Sequence, residues 1–231
     1  MSHPTLVIPV IFPSTVVFLR VASWGHYFLI FTFPICQVLQ LTSTLLLFAD
    51  DKTLYSSQKS WALDAQITSN TLEALADALS VLGLAINNGK TKSMFICPNQ
   101  TEANHLDRIT FHGNPLEIVC HIRCLGVIVD DNLSWKHHVD YIITKAGRKI
   151  GSLWRVRRQL SPQARRQFLL GVIQPDFFYC AVAFLTSLPT KEVQRLLATY
   201  RRALRATVGA LCFSDCDDIA RQLRILPLLQ W

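Results

Sequence analysis

The first fifth of the chain is almost without charge. Residues 1–49 contain no Asp or Glu, and Arg20 is their only Lys or Arg. This segment contains two apolar stretches, and proline and polar residues interrupt each of them. Neither stretch therefore supplies the roughly 20 apolar residues of a membrane span. Residues 1–4 also lack the basic start of a secretory signal. We therefore expect no membrane association, and a membrane anchor in residues 1–48 is the alternative.

The chain also lacks the paired cysteine pattern of a disulfide-stabilised protein. Its 7 Cys residues are odd in number and are scattered from Cys36 to Cys216, which favours a reducing compartment. We expect an intracellular protein, cytoplasmic or nuclear. Cys120, His121 and Cys124 do not have the spacing of a zinc knuckle, so free thiols are favoured over a zinc site.

Basic residues are concentrated at the C-terminal end. The formal net charge is +7, and residues 151–231 hold 12 Lys or Arg against 5 Asp or Glu. This excess indicates a surface for polyanions, and solvated basic helix faces are the alternative. Trp135 and Trp154 lie near apolar stripes, which favours core positions over stacking on bases. The candidate phosphate-contacting residues are Arg155, Arg157, Arg158, Arg165 and Arg166.

An apolar run, Leu45–Ala49, ends in two adjacent carboxylates, Asp50 and Asp51. Two anions at the edge of a core are costly unless a cation compensates them, which points to a divalent metal ion. Because side chains alternate along a strand, both can face one site only if the backbone turns between them. We therefore expect a hairpin, with Thr53–Ser56 leading out and Asp50 as the principal ligand. An ordinary solvated turn is the alternative.

Apolar periodicity divides the rest of the chain into a mixed part and a helical part. Helical spacing predicts a helix over 64–82, and alternation predicts strands over 93–97 and 109–129, with a turn at Gly113–Pro115. From Ser134 onward the spacing is helical. The sequence therefore predicts an α+β region followed by a helical bundle.

Two helix starts are marked within the helical part. Ser161 followed by Pro162 is an N-cap with proline at the first helical position. We expect that helix to end near Gln174, because Pro175 follows it. Thr190 is expected to cap a further helix, with the acidic Glu192 in its first turn.

Four groups of residues together resemble a known family. They are Phe48–Asp51, Asn87–Lys92, Cys124–Val127 and Leu133–His138, in this order. Their order and spacing resemble the reverse transcriptase of non-long-terminal-repeat, LINE-type retrotransposons. The resemblance covers about three quarters of the chain, over residues 37–210.

The resemblance implies a partial polymerase. Residues 37–130 would form part of the palm, an antiparallel sheet with packed helices, and residues 131–231 a helical, thumb-like region. We expect residues 1–36 to lie outside this fold. The family's activity is RNA-directed DNA synthesis, in which magnesium ions assist nucleotidyl transfer to a DNA primer on an RNA template.

The resemblance also implies roles for single residues. Asp50 and Asp51 would bind Mg²⁺. Lys90, which completes an Asn-x-x-Lys pattern begun by Asn87, would stabilise the charge of the pyrophosphate leaving group. Gly126 would permit close backbone approach to the primer end. Packing alone is the alternative explanation for Gly126.

The chain departs from the family in ways that bear on activity. The family's first metal-binding Asp lies on a strand upstream of the Asp pair, and here no acidic residue precedes Asp50. The family's Pro-Gln-Gly turn is absent, since Gly25 is the only glycine before Gly83, and Lys52 replaces the usual Thr. Two carboxylates from one hairpin do not readily surround two metal ions. We therefore predict no polymerase activity from this chain alone. A nucleic-acid-binding module derived from the thumb is the alternative function.

Overall fold

The computed structural model describes most of the chain as two compact units. The first contains the described residues up to Leu125 together with Asp130–Leu133, and the second contains Gly126–Val129 and the described residues from Ser134 onward. Helices and strands are mixed, as the α+β prediction requires. Asp50 lies outside the described residues. These are 14–20, 43–48, 51–58, 60–81, 83–96, 108–210 and 215–225.

The first unit is built on a five-stranded sheet with strand order β2-β3-β1-β4-β7. Its strands pair antiparallel, except that β4 and β7 are parallel. The predicted hairpin is confirmed as β2 and β3. The strands are β1 (Ser14–Arg20), β2 (Thr44–Phe48), β3 (Asp51–Ser57), β4 (Lys92–Ile96), β5 (Thr110–Phe111), β6 (Asn114–Pro115), β7 (Glu117–Ile118), β8 (His121–Cys124) and β9 (Val127–Asp130).

The middle strand of this sheet comes from a segment that we expected to lie outside the fold. β1 pairs with β3 on one side and with β4 on the other. Its run of β-branched and aromatic residues suits a sheet, and Val17 is fully buried in the core of the unit. We expected residues 1–36 to lie outside the fold. This expectation is wrong for residues 14–20, which form part of the sheet.

A long helix, α1 (Trp61–Val81), packs on one face of the sheet. Ser60 begins it by accepting a hydrogen bond from the Leu63 amide at 3.3 Å. Its apolar stripe is fully buried with Leu54 of β3, and includes Leu72, Leu75 and Leu79. The buried Ser56 hydroxyl donates to the Asp64 carboxylate at 2.6 Å and ties β3 to the first turn of α1. The helix predicted over 64–82 is confirmed, with an earlier start.

The turn predicted at Gly113–Pro115 lies slightly earlier in the chain. His112 and Gly113 have φ angles of 49° and 74°, whereas Asn114 and Pro115 are already strand β6, paired with β5. Positive φ at both central residues is the geometry of a type I′ hairpin turn. The His112 amide also donates to the Glu73 carboxylate of α1 at 2.8 Å. This bond fixes the hairpin on the helix.

The second unit is helical apart from its share of β9. Ser161 caps α3 as predicted, accepting a hydrogen bond from the Ala164 amide at 3.2 Å. The helices are α2 (Lys136–Val156), α3 (Pro162–Phe168), α4 (Gln174–Phe178), α5 (Ala181–Phe184), α6 (Thr190–Val208) and α7 (Cys216–Leu223).

Pro175 does not end the helix before it, contrary to our expectation. A π-helical turn, Leu169–Ile173, joins α3 to α4, and Pro175 occupies the first turn of α4. Proline has no N–H for an interior helical hydrogen bond, and it falls here where the π turn gives way to α-helical spacing. The Lys149 ammonium donates to the Val172 carbonyl at 2.8 Å within the widened turn.

The core of the second unit is formed by large apolar side chains from every helix except α3. Leu169 of the π turn, Phe177 of α4 and Phe184 of α5 are almost completely buried. Tyr200 of α6 lies edge-on to Phe177, and its burial raises its pKa to about 12. Trp135, expected in the core, is partly buried against it, and its indole N–H donates to the Ser187 hydroxyl at 2.9 Å.

One helical run of the described residues, Pro162–Ser187, is long and apolar enough to cross a membrane by length and composition. Buried helices of soluble proteins meet the same criterion, and Leu169 and Phe177 of this run belong to the core of the second unit. The membrane alternative concerned residues 1–48. The described parts of that segment form β1 and β2.

Candidate functional site

Asp51 is the first residue of β3 and is partly exposed. It lies opposite Phe48 of β2 and opposite Arg20 of β1. Residues directly opposite in antiparallel strands share one face of the sheet. The position beside Asp51 on the middle strand is therefore an arginine position, and no residue of β1 is acidic. Lys52 alternates to the other face and is 1% exposed.

The turn that carries Lys90 lies at the same end of the sheet as Asp51. β3 and β4 both pair antiparallel with β1, so they run in the same direction and both begin at this end. Phe18 of β1 is opposite Thr53 on one side and opposite Lys92 on the other. Because only β1 separates them, Thr53 of β3 and Lys92 of β4 lie about 10 Å apart. The sequence indicated both residues but not this arrangement.

The Asn-x-x-Lys pattern forms a tight turn before β4. The Asn87 side chain accepts a hydrogen bond from the Lys90 amide at 3.2 Å, and the Thr91 hydroxyl donates to the Asn87 carbonyl at 2.8 Å. The turn leaves the Lys90 side chain exposed. Lys92 begins β4 and pairs with Glu117 at 3.0 Å. Of the two lysines, Lys90 is the more exposed.

The Cys124 thiol, at the end of β8, belongs to the same neighbourhood. Burial raises its pKa, a hydrogen bond with the Thr53 side chain lowers it, and the charge of Asp51 raises it further. Thr53 and Asp51 are two residues apart on β3 and share a face. Sequence reasoning missed Thr53, although its alternation with Asp51 was visible. The net effect is a half-buried, protonated thiol beside a carboxylate.

The described residues do not by themselves form a two-metal site. Among them, no group of three or more His, Cys, Asp or Glu side chains is arranged to hold a metal ion. Mg²⁺ prefers oxygen ligands, and the neighbours of Asp51 described above include a hydroxyl at Thr53 and a thiol at Cys124. Asp50, the predicted principal ligand, lies outside the described residues.

Gly126 has two independent reasons to be glycine. Its φ of 90° and the φ of 46° at Leu125 are both positive, as in a type I′ turn. A Cβ atom at Gly126 would also lie 3.2 Å from the Tyr179 ring. This ring takes the space close to Gly126 within the second unit, so packing explains the glycine without a bound primer. The sequence around Gly126 gave no sign of this contact.

The five candidate arginines have different surroundings. Arg155 and Arg158 are exposed near the end of α2. The Arg157 guanidinium stacks on the Trp154 ring at 3.4 Å from its centroid. Arg166 donates to the Leu223 carbonyl at 2.7 Å and so holds the last turn of α7.

Arg165 completes the set and lies in the packed part of the second unit. Its guanidinium nitrogen Nη1 lies 3.6 Å from where a Cβ atom would sit on Gly209, beyond the end of α6. The Arg165 side chain is partly buried. Arg165 and Arg166 therefore also take part in packing, and Arg155 and Arg158 are more exposed than either of them.

Comparison of the chain with models of known protein families and with curated proteins gives no match.

Proposed function

We propose that this chain is a partial, reverse transcriptase-like protein of retrotransposon origin that binds nucleic acid but does not extend a primer alone. The proposal begins with the sequence resemblance. It is supported by the sheet of the first unit, where Asp51, Cys124 and the Lys90 turn all belong to one end. A site for nucleotidyl transfer needs carboxylates and a cation near the leaving group at one place.

The observation that carries the inactive part of the proposal is the composition of β1. Within the sheet, a second carboxylate facing the same site would come from a strand beside β3, because residues opposite each other share a face. β2 and β1 are the two strands paired with β3. The residues opposite Asp51 on them are Phe48 and Arg20, and neither strand contains Asp or Glu. Asp51 therefore has no acidic residue opposite it on either neighbouring strand, and a second metal-binding carboxylate is lacking there.

Primer extension with simultaneous measurement of binding tests this proposal. The purified full chain is mixed with a DNA primer on an RNA template, deoxynucleotides and magnesium, and compared with an Asp50→Ala, Asp51→Ala double variant. We expect both proteins to bind the duplex with equal affinity and neither to extend it. Extension by the unsubstituted chain that is lost in the double variant would contradict the proposed inactivity.

The second candidate function is a nucleic-acid-binding module in which the first unit has no role. The exposed Arg155 and Arg158 favour it. Phosphate contacts release counterions, so binding would weaken as salt rises, and each lost contact would lower the log–log salt slope by about 1. We expect Arg155→Gln with Arg158→Gln to lower that slope by about 2. Arg123→Gln, in the first unit, is the control. A loss of about 1 in the control would favour a binding surface shared by the first unit.

A further inference from the structure

The second unit contains a cavity of about 410 Å³ to which neither the sequence nor the proposed function assigns a role. It lies between α2 and α6 and is lined on one side by Gly151 and Trp154, and on the other by Ala198, Arg202 and Ala206 among others. Ligand pockets in proteins usually measure about 300–1,000 Å³. The volume is therefore sufficient for a small organic molecule.

The cavity exists because small residues face each other across the two helices. Ala198, Arg202 and Ala206 are spaced four residues apart on α6 and so form one stripe. Gly151 and Trp154 are three apart on α2 and lie on one face. The α6 stripe presents methyl groups where larger apolar side chains would close the gap between the helices. The floor of the cavity is consequently apolar, and the arginines supply the polar atoms of its lining.

The lining has the chemistry of a site for a flat, negatively charged ligand. Trp154 is 47% exposed, which is unusual for so large an apolar ring in a well-packed helical unit. Arg157 covers one face of that ring. Arg202 supplies a permanent positive charge and planar donors that suit a carboxylate, sulfonate or phosphate. We infer that this cavity binds a small aromatic anion, with its ring against Trp154 and its acidic group on Arg202.

This inference does not depend on the polymerase proposal. Naphthalene-2-sulfonate is a suitable probe, because it joins a flat apolar ring to one acidic group. At ordinary ligand efficiency a molecule of this size is expected to bind with a dissociation constant of about 1 mM or lower. Adenosine monophosphate is the probe in a second arm of the experiment, since this nucleotide also joins a flat ring to an acidic group. The two arms distinguish a small-molecule site from a nucleotide site.

Titration of the full chain, followed by the indole N–H signals of its 5 Trp residues in nitrogen-15 NMR spectra, measures affinity and location together. Trp154→Phe assigns the signal of interest. We expect one probe to shift the Trp154 signal saturably. 2-Naphthalenemethanol, which lacks the charge, and inorganic sulfate, which lacks the ring, should each bind at least about tenfold more weakly.

Matched variants separate this site from general attraction to a basic protein. Arg202→Gln should weaken binding about tenfold, whereas Arg201→Gln removes the same charge from a neighbouring exposed position outside the lining and should have little effect. Ala198→Leu should abolish binding by filling the cavity from an exposed position. No saturable shift at Trp154, equal losses in both arginine variants, or undiminished binding by Ala198→Leu would each overturn the inference.

Discussion

The two units differ in how they treat charged side chains. In the second unit the Asp176 carboxylate is 6% exposed and is paired with both Lys145, at 3.0 Å, and Lys149, at 2.6 Å. In the first unit the strand beside Asp51 offers an arginine position and no acidic residue. The buried Asp176 carboxylate of the second unit is thus fully paired, while the carboxylate set that the proposed polymerase ancestry would require is incomplete in the first unit. The charge pairs that stabilise a fold and the carboxylates that catalysis would require are therefore separate features of a sequence. The first can be present without the second.

The largest expected effects come from the two cores. Leu72 of the first unit and Leu169 of the second are both fully buried. Leu72→Ala and Leu169→Ala should each lower the free energy of unfolding by about 3 kcal/mol, because each leaves a cavity. Amide hydrogen exchange shows where that stability is lost. We expect α1 to lose protection only in Leu72→Ala, and α2 and α6 only in Leu169→Ala.

Loss of protection in all three helices from either substitution would show that the cores unfold as one. The exposed Ala62, at the start of α1, provides the control. Ala62→Ser removes no buried surface, and it should leave the exchange pattern of both units unchanged.

The next effect tests the paired charges of the second unit. Asp176→Ala leaves two lysines near a packed region without their carboxylate, and it should lower the free energy of unfolding by about 2 kcal/mol. This is less than for a fully buried pair, because Lys145 is 46% exposed. Asp218→Ala removes an exposed pair with Arg221 and should cost less than about 0.5 kcal/mol. Equal midpoints in chemical denaturation for the two variants would show that the Asp176 pairs do not stabilise the fold.

Short-range features of this fold were predictable from the sequence. The hairpin of β2 and β3 follows from an apolar run that stops at two carboxylates, and the start of α3 follows from Ser161 and Pro162. Each signal depends on neighbours in the chain, so local propensity is enough. The π turn before Pro175 was missed because proline usually marks a helix end, and here it falls in the first turn of α4.

Long-range features of the candidate site were not predictable in the same way. Which strands pair is decided by packing over the whole unit, so the sequence did not show that β1 would lie between β3 and β4. The contact of Cys124 with Thr53, and the Tyr179 ring beside Gly126, depend on residues far apart in the chain. The candidate residues were chosen by motif, whereas their surroundings became visible only in the fold.

Adding a carboxylate opposite Asp51 tests directly whether a missing carboxylate limits metal binding at this end of the sheet. Arg20→Asp would place a carboxylate opposite Asp51 on the middle strand. We expect binding of Mn²⁺, followed by electron paramagnetic resonance, to strengthen about tenfold, because affinity for hard cations rises with the number of charged oxygen ligands. Arg20→Asn supplies an oxygen without the charge and should give a smaller gain. Equal affinity in all three proteins would show that this end of the sheet is not a metal site.

The smallest effect concerns a buried histidine of the second unit. Its titration makes the stability of that unit depend on pH, and the first unit does not contain this residue. His138 is 2% exposed, its Nδ1 atom accepts a hydrogen bond from the Ile128 amide at 3.3 Å, and its ring lies edge-on to Phe184. Burial lowers the pKa of His138 below its ordinary value of 6.5. Below that value the unfolded chain binds a proton that the folded chain does not. Stability should therefore be complete above about pH 6.5 and fall as the pH is lowered towards the folded pKa.

His138→Asn separates this effect from the titration of other groups. Asparagine keeps an acceptor for the Ile128 amide but does not titrate. The variant should be less stable than the unsubstituted chain at neutral pH, because it packs less well against Phe184. Between about pH 7 and pH 5, however, it should lose less stability, since the remaining groups titrate equally in both proteins. Parallel pH profiles of the two denaturation midpoints would show that His138 accepts a proton in the folded unit as readily as in the unfolded chain.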